Sequence, residues 1–349
     1  MLPSIIYHSV LEWEFIFQRP QQLLREMGRR GWRVVFVEPR RARQMGETKA
    51  TGTVEAAPNV FVCREAGEAA ALGGPAPVLW VAYPPFVRLL RRYRPRLVIY
   101  DAVDLPAGEF ATWAPYVPEL LAAADIVFAA SPELAHRNAE KHPNVHLLPN
   151  GADYEHFARA VTEELPAPED VRDIRRPLVG FCGTLAGWLD WELLTGTAAL
   201  LPDYSFVFIG PPLLGKKAGE LPRRSNMHYL GHRQYSELPA YFACFAAALL
   251  PFRVNPVTRS SDPVKVYEYL AAGLPVVATP LPAVGRFPGV RTAQTPAEFA
   301  RQLRQAVEGD SPAARAARRK SVRRETWETR AAAAQAALTA ALSQKSNKT

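Results

Sequence analysis

The chain has 349 residues, 48% of them hydrophobic and 22% charged, and a formal net charge of +8. This length suits two domains, and the composition excludes a disordered or collagen-like protein. The longest uncharged run, 69–87, contains six glycine or proline residues and therefore predicts no membrane-spanning helix. Because the apolar stretch Ile5–Val10 follows no basic region, we predict a cytoplasmic protein without a signal peptide.

Short runs of β-branched and aromatic residues recur between helical patterns in the first half of the chain, which is typical of βαβ units around a parallel sheet. The predicted strands are Ser4–Val10, Arg33–Val37, Val60–Cys63, Pro77–Ala82, Leu97–Asp101, Ile126–Ala130 and Val145–Leu148. We therefore predict a Rossmann-like domain over 1–155.

A proline-containing, mixed-charge segment then predicts a linker over 156–176. The alternation restarts after it and predicts a second Rossmann-like domain over 177–311, whose strands are Leu178–Cys182, Phe206–Ile209, Met227–Leu230, Ala247–Leu250, Val276–Ala278 and Val290–Thr292. From Pro312 a basic, alanine-rich pattern predicts a helix over 312–349 that packs across both domains. Two such sheets place the carboxyl ends of their strands, where ligands bind, on either side of a cleft.

Positive charge is concentrated in two places. The segment from Pro312 onward holds nine basic residues, Lys348 among them, against two glutamates, and the stretch Arg88–Arg96 holds five arginines among apolar side chains. Such stretches suit an anionic membrane surface, or are solvated helix faces. No base-reading or stacking motif accompanies the charge, so we predict no nucleic-acid partner.

The residues 260–279 are the most informative stretch. They predict one helix between two strands, capped by Asp262, with Pro263 at its first position and Gly273 at a left-handed exit. The first-turn amides can hold a phosphate, Lys265 adds a charge there, and Glu268 can accept hydrogen bonds from a ribose. Alternatively, Lys265 and Glu268 form an i, i+3 surface ion pair.

Lys265–Ala278, which reads KVYEYLAAGLPVVA, resembles the donor-binding motif of family 4-like GT-B glycosyltransferases (glycosyl transferases group 1). Further blocks agree in order along nearly the whole chain: 17–23, 100–104, 131–134, 148–153 and 179–185. Each block alone is weak, but the series is specific. The resemblance implies an α/β GT-B fold with two Rossmann-like domains facing an interdomain cleft and a C-terminal helix crossing back.

The resemblance implies retaining transfer of a sugar from a nucleotide-sugar donor, bound by the second domain, to a polysaccharide, glycolipid or cell-wall acceptor. It assigns the donor ribose to Glu268, the later glutamate of an E-x7-E motif. The earlier glutamate is replaced by Ser260, and Ser260, Ser261 and Asp262 are the candidate substitutes for its contact with the donor sugar. The Arg and Lys pair that usually follows the glycine-rich loop is missing as well.

Another positive charge must therefore neutralise the diphosphate, and Arg253 and Lys265 are the candidates. Both are predicted at the carboxyl end of Ala247–Leu250 and its following helix. A guanidinium binds phosphate in bidentate fashion, whereas an ammonium acts as a point charge. Gly183 lets the backbone approach the phosphates. The alternative interpretation of Arg253 is an exposed loop arginine.

In the first domain, polar residues follow predicted strands. Arg19 is predicted to hold an acceptor phosphate or the donor diphosphate, or to pair with a nearby acid. Asp104, just past Leu97–Asp101, is predicted to orient the acceptor or act as a base, or to cap the next helix. His8 and Gln18 are predicted to bind the acceptor, although His8 also suits a satisfied core histidine.

The resemblance implies front-face substitution, in which the departing phosphate deprotonates the acceptor, and it needs neither a cofactor nor a metal ion. A saccharide or lipid-linked acceptor would place the enzyme at the inner membrane face. The two departures from the family pattern leave a second interpretation open, a catalytically degenerate GT-B protein that binds a nucleotide sugar or a partner without transfer. A sugar phosphorylase or epimerase on the same plan is a third.

Overall fold

The computed structural model describes residues 2–39, 52–213 and 221–347, which form two compact units. Unit 1 comprises Met1–Pro149 and Trp327–Thr349, and unit 2 comprises Asn150–Thr326. Each unit is built on a largely or wholly parallel sheet, as the strand pattern predicts.

Unit 1 contains an eight-stranded sheet in the order β3-β4-β2-β1-β5-β6-β7-β8. Its strands are β1 (Ile5–His8), β2 (Val34–Val37), β3 (Val54–Ala57), β4 (Val60–Cys63), β5 (Val78–Val81), β6 (Leu97–Ala102), β7 (Ile126–Ala129) and β8 (Val145–Leu147). All neighbours pair in parallel except β3 and β4. The sequence pattern missed β3 because this edge strand is almost entirely exposed and carries no apolar run.

The helices of unit 1 are α1 (Arg19–Arg29), α2 (Ala66–Gly73), α3 (Leu90–Tyr93), α4 (Val117–Ala123) and α5 (Pro132–Ala139), with 3₁₀ helices at Pro84–Leu89 and Gly108–Tyr116. A parallel sheet buries both faces, which is why β2, β5 and β7 are continuous apolar runs that lie fully in the core. Strand β6 is fully buried as well, and Asp101 is its one charged residue.

Unit 2 contains a six-stranded parallel sheet in the order β11-β10-β9-β12-β13-β14. Its strands are β9 (Leu178–Cys182), β10 (Ser205–Ile209), β11 (Met227–Gly231), β12 (Phe245–Leu250), β13 (Val276–Ala278) and β14 (Val290–Thr292). Alternate strand residues belong to two separate apolar clusters. Val207 and Leu250 lie in one, and Phe208 and Leu249 lie in the other, so the sheet has a core on each face.

The helices of unit 2 are α6 (Tyr154–Thr162), α7 (Glu169–Arg172), α8 (Trp191–Leu200), α9 (Leu238–Cys244), α10 (Pro256–Ser260), α11 (Val264–Ala271), α12 (Pro296–Glu308) and α13 (Pro312–Val322), with a 3₁₀ turn at Tyr235–Glu237. The segment 156–176, predicted as a linker, contains most of α6 and all of α7. Phe157 is fully buried in the unit 2 core, where α6 packs on α9. The division between the units therefore falls earlier, at Pro149 and Asn150.

The C-terminal segment is two helices rather than the predicted continuous one. Helix α13 belongs to unit 2, where it packs on α11, and Arg318 donates a hydrogen bond to the carbonyl of Gly273 (2.8 Å). After 323–326, α14 (Trp327–Ser346) belongs to unit 1 and packs on α1. The chain thus leaves unit 1, builds unit 2 and returns to unit 1.

Candidate functional site

The stretch 260–271 forms two helices, not one, and Asp262 does not cap the second. Helix α10 ends at Ser260, and Pro263 occupies the position before α11, where no side chain caps the helix. The Asp262 carboxylate instead accepts hydrogen bonds from the hydroxyl of Tyr267 (2.9 Å) and the backbone N–H of Asn150 (2.6 Å). Asp262 is only 6% exposed, and its carboxylate is hydrogen-bonded to groups inside the protein. Its role in this structure is therefore structural.

Lys265 and Glu268 form an ion pair on the first turns of α11, with Nζ and Oε2 2.7 Å apart. The pair is enclosed, because the side chains are only 18% and 2% exposed. Burial raises the pKa of Glu268, and the charge of Lys265 opposes that effect. Burial acts to lower the pKa of Lys265, but Glu268 and Cys182 together raise the pKa of the amine above its ordinary value. A surface pair contributes little, whereas an enclosed one fixes both groups in place.

Helix α11 is held against the end of β9 by Tyr269. Its hydroxyl accepts a hydrogen bond from the backbone N–H of Cys182 (2.8 Å), the last residue of β9. A Cβ on the next residue, Gly183, would lie 3.5 Å from Cε of Lys265. The structure therefore brings Gly183, Lys265 and Glu268 together at the carboxyl end of the unit 2 sheet, as the sequence predicts.

Gly183 and Gly210 make the close backbone contact at this edge. Gly183 has a φ of +154° and donates its N–H to the carbonyl of Ile209 (2.8 Å). Gly210 has a φ of +140°, and a Cβ there would lie 2.0 Å from the carbonyl oxygen of Gly183. The turns after β9 and β10 therefore pack backbone against backbone, and only glycine can occupy position 210.

The two serines considered as substitutes for the missing glutamate bond to their own helix. The Ser260 hydroxyl donates to the carbonyls of Val257 (2.8 Å) and Pro256 (3.0 Å), and Ser260 is 1% exposed. The Ser261 hydroxyl donates to the carbonyl of Thr258 (2.8 Å). In this structure the short side chains satisfy the end of α10, as serines commonly do near helix termini.

Arg253 lies in the loop after β12 and is exposed. Its backbone N–H donates to the carbonyl of Trp188 (2.7 Å), which ties this loop to the one that follows Gly183. Within the described parts of the chain, its guanidinium forms no hydrogen bond or ion pair. Arg253 is therefore a cation near the carboxyl end of β12 that none of the described carboxylates neutralises.

In unit 1, Arg19 pairs with an acid, one of the three roles considered for it. Its Nη2 and Nε contact the two oxygens of Asp101 at 2.8 and 3.1 Å. The indole N–H of Trp80 donates to Asp101 as well (3.2 Å), and both charged side chains are under 10% exposed. The sequence did not identify Asp101 as this partner, because it lies 82 positions from Arg19 in the chain, inside a fully buried strand.

Asp104 follows β6 and is partly buried. Burial, together with the negative charge of Glu109, raises the pKa of Asp104 to about 6, and Arg19 opposes this rise. Among the residues that the structure describes, no group donates a hydrogen bond to its carboxylate. A carboxyl group that titrates near neutral pH at the end of a parallel strand is a candidate for acid–base work.

His8, the last residue of β1, has a partner inside unit 1. Its Nε2 lies 2.7 Å from the hydroxyl of Tyr93. Burial and the charges of Arg92 and Arg88 lower the pKa of His8 to about 4. His8 is thus a neutral, hydrogen-bonded histidine. Gln18 precedes α1, and its backbone N–H donates to Oε1 of Gln21 (3.4 Å).

The two basic regions differ from each other in the partners of their charged side chains. In the stretch 88–96 the apolar side chains pack on the unit 1 core, whereas the arginines are exposed. In the C-terminal region Arg315 and Arg318 pair with Asp310, and Lys345 pairs with Asp125. Part of that positive charge is therefore neutralised locally. Lys348 lies outside the described residues.

The described residues contain neither a membrane-spanning helix nor a cluster of metal ligands. No helix over 2–39, 52–213 or 221–347 is long and apolar enough to cross a bilayer. Within the same residues, no three His, Cys, Asp or Glu side chains are grouped as a metal site would require.

Comparisons with known proteins relate this chain to glycosyltransferases. Residues 191–336 match a family model described as glycosyl transferase-like. The chain is 27% identical over 253 residues to TuaH of Bacillus subtilis (strain 168), a protein whose name assigns it to teichuronic acid biosynthesis as a glycosyltransferase. The match covers 67% of this chain and 60% of TuaH, so the chain spans less than two thirds of that relative. The predicted resemblance is confirmed.

Solved structures confirm the GT-B fold. Sucrose-phosphate synthase from Thermosynechococcus elongatus superposes with a TM-score of 0.73 at 17% identity, covering 98% of this chain and 100% of that one. An α,α-trehalose 6-phosphate synthase from Burkholderia multivorans gives 0.68 at 14% identity, covering 100% and 98%. HepE of Anabaena, solved with UDP and glucose, gives 0.66 at 13% identity, covering 97% and 99%.

Proposed function

We propose that this protein is a retaining glycosyltransferase that moves a sugar from a nucleotide-diphosphate sugar, bound by unit 2, to a saccharide or lipid-linked acceptor, bound by unit 1. The observation that carries the proposal is the enclosed Lys265–Glu268 pair beside Gly183. It supplies a cation and a carboxylate next to a glycine turn at the sheet edge where α/β proteins bind ligands.

The chemistry of a nucleotide sugar matches these groups. Its diphosphate needs positive charge and N–H donors, which Lys265 and the uncapped first turn of α11 provide. Its ribose offers hydroxyl donors, which the Glu268 carboxylate accepts. Arg253, exposed and without an ion-pair partner among the described residues, supplies a second cation for the diphosphate in place of the missing Arg and Lys pair.

Binding changes the pairing of Lys265. Without ligand, the amine and the Glu268 carboxylate neutralise one another. When the diphosphate binds, the Lys265 amine donates hydrogen bonds to phosphate oxygens, and the Glu268 carboxylate accepts hydrogen bonds from the ribose hydroxyls. Because both groups start enclosed and oriented, little conformational entropy is lost on binding.

Transfer then depends on position and charge. The bond from the anomeric carbon to the departing phosphate breaks, the acceptor oxygen bonds to that carbon on the same face, and the acceptor proton passes to the phosphate. Asp104 is the unit 1 group suited to orient the acceptor hydroxyl, because its carboxylate is uncommitted among the described residues. We propose that no metal ion or other cofactor is needed. Unchanged turnover in EDTA tests this.

The first experiment is a thermal-shift panel of UDP, GDP, ADP and CMP and their sugar conjugates. A ligand at about 100 times its Kd stabilises the folded protein by ~2.7 kcal/mol. We expect one nucleotide to raise the melting temperature of the wild type and of Glu308→Ala, an exposed control on α12, but not of Glu268→Ala. Equal shifts in all three proteins would remove Glu268 from the site.

The alternative is a degenerate GT-B protein that binds a nucleotide sugar without transfer. The observation that favours it concerns Ser260, which occupies the position of a glutamate and whose hydroxyl donates a hydrogen bond to a carbonyl of α10. The product decides between them: a transferase releases nucleoside diphosphate and forms a glycoside whose anomeric configuration, read by NMR, equals that of the donor. Donor binding without release of diphosphate, tested over saccharide and lipid-linked acceptors, supports the alternative.

A further inference from the structure

A group of aromatic rings lies at the surface of unit 1. Residues 108–116 form a 3₁₀ helix in which no residue is buried, although it carries Phe110, Trp113 and Tyr116. Trp113 lies 4.5 Å from Phe110 and 5.7 Å from Tyr83, measured between ring centroids. Tyr83 in turn lies 4.9 Å from Phe86. The segment therefore holds three aromatic side chains outside the buried core, of which Tyr116 is exposed and Phe110 and Trp113 are partly exposed.

Arginines stand next to these rings. Arg88, Arg91 and Arg92 are exposed, and the guanidinium of Arg88 lies 5.9 Å from the ring centre of Phe86. The stretch 84–96 holds five arginines and no acidic residue. None of Arg88, Arg91 and Arg92 forms an ion pair with a described carboxylate. The nearby acids Glu109 and Glu119 leave the local charge positive.

These segments share one edge of the sheet. The 3₁₀ helix Pro84–Leu89 follows β5, and the 3₁₀ helix Gly108–Tyr116 follows β6, the neighbouring strand. Asp104 follows β6 too, so the rings and arginines lie on the side of unit 1 where the proposed function places the acceptor.

We propose that unit 1 docks on a bilayer that contains anionic phospholipid. It does so through the aromatic–arginine surface, which consists of five aromatic residues and three arginines: Tyr83, Phe86, Phe110, Trp113, Tyr116, Arg88, Arg91 and Arg92. Aromatic rings that are partly exposed at a surface insert at the level of the headgroups, and arginines attract anionic lipid. This inference rests on the proposed function in one respect: a docked enzyme reaches an acceptor carried by a lipid.

The ring geometry favours a bilayer over single-stranded nucleic acid. Tyr83 meets Trp113 at an interplanar angle of 87° and Phe86 at 71°. Rings that meet edge to face form an apolar cluster, whereas nucleic-acid binding needs open faces on which successive bases stack.

Vesicle co-sedimentation of the full chain, without nucleotide, tests the proposal. We expect binding to phosphatidylcholine vesicles that contain phosphatidylglycerol and little binding to phosphatidylcholine alone. Each arginine contributes roughly fivefold, so the variant R88Q/R91Q/R92Q should lose on the order of 100-fold in partitioning. The control R301Q/R323Q/R324Q removes the same charge from exposed positions of unit 2 and should lose less than about threefold.

The variant F110A/W113A keeps the charge and removes two half-exposed rings. We expect it to lose at least about tenfold in partitioning at physiological salt, with an unchanged circular dichroism melt. Equal losses in both arginine variants would overturn the proposal. So would wild-type binding by F110A/W113A, or tighter binding to a single-stranded oligonucleotide than to anionic vesicles.

Failure of this proposal and failure of the proposed function are distinguishable. Vesicle binding is measured without donor, so it survives if the chain transfers no sugar. Transfer to a soluble acceptor with no vesicle binding would overturn the docking surface and leave the transferase intact.

Discussion

The guanidinium of Arg19 holds the carboxylate of Asp101 through two hydrogen bonds, 2.8 and 3.1 Å long, inside unit 1. Trp80 adds a third donor to the same carboxylate. Arg19 therefore joins the start of α1 to β6, and Asp104 lies three residues further along the chain. This pairing makes Arg19 a positioning residue for the strand end rather than a cation set aside for phosphate.

We expect Arg19→Gln to lower the free energy of unfolding by about 3–5 kcal/mol, because it leaves a buried carboxylate without its cation. Urea unfolding measures the change. Arg29→Gln, which removes the exposed partner of Glu26, should cost less than about 1 kcal/mol. Similar small losses for both variants would mean that the Arg19–Asp101 pair does not hold the unit together.

A second prediction concerns the pH dependence of transfer. The pKa of Asp104 is about 6, so its carboxylate forms as the pH rises through that value. If Asp104 acts on the acceptor as a carboxylate, kcat/KM rises with an apparent pKa near 6 and levels off above it. Asp104→Asn should lower the plateau by about 100-fold and remove this ionisation.

Glu109→Gln provides the control for that profile. Because the charge of Glu109 raises the pKa of Asp104, removing it should move the midpoint to lower pH without lowering the plateau. A midpoint that stays in place in Asp104→Asn would assign the ionisation to another group.

The glycine turn of unit 2 gives a third prediction. A Cβ at Gly210 would lie 2.0 Å from the carbonyl oxygen of Gly183, so Gly210→Ala must displace that turn. We expect a loss of at least about 2 kcal/mol in stability, together with loss of the nucleotide-dependent thermal shift. Gly187→Ala is the matched control, since nothing lies within 4 Å of its Cβ position. If the two variants behave alike, close backbone contact is not what the turn requires.

His8 makes folding stability depend on pH. Its folded pKa is about 4 against an ordinary value of 6.5, so the unfolded chain binds a proton that the folded protein excludes. The contribution of neutral His8 is therefore complete above pH ~6.5 and is lost as the pH falls toward ~4. Chemical unfolding at several pH values should show the wild type losing about 1–3 kcal/mol more than His8→Gln over this window. Parallel profiles would contradict it.

Another site for mutation is Ser260, where the family pattern has a glutamate. We expect that introducing this glutamate does not improve the protein. Ser260 is 1% exposed and bonds to carbonyls of α10, so Ser260→Glu buries a carboxylate among acceptors. We expect it to destabilise the protein by at least about 2 kcal/mol, measured by urea unfolding, and to weaken nucleotide binding. Ser261→Glu, at the half-buried neighbour, should cost clearly less. If Ser260→Glu is stable and more active than the wild type, then α10 must reorient when the donor binds, so that the side chain at position 260 faces the donor.

The strands were the most predictable part of the fold. Buried parallel strands are continuous apolar runs, and those of both units lie where their patterns predict. Edge strand β3 was missed because it is exposed and too polar to stand out. The break between α10 and α11 was missed because Asp262 and Pro263 also suit the start of a helix, and only the contacts of Asp262 with Tyr267 and Asn150 reveal its role.

Within the candidate site, local spacing was informative and distant pairing was not. Lys265 and Glu268 are three residues apart on one helix, so their meeting follows from helical geometry. Arg19 and Asp101 are 82 positions apart, and only the strand order brings them together. The aromatic rings at 108–116 carried no signal at all, because a short 3₁₀ segment has no periodicity to read.

Helix α14 has a consequence for the order in which the chain is made. It completes unit 1, where Trp327 and Leu338 are buried and Lys345 pairs with Asp125, yet it is synthesised after the whole of unit 2. During translation the face of α1 that α14 covers stays open until α14 itself has left the ribosome. Unit 2 is continuous in sequence and complete at Thr326, so the later unit in the chain is the first that can finish folding.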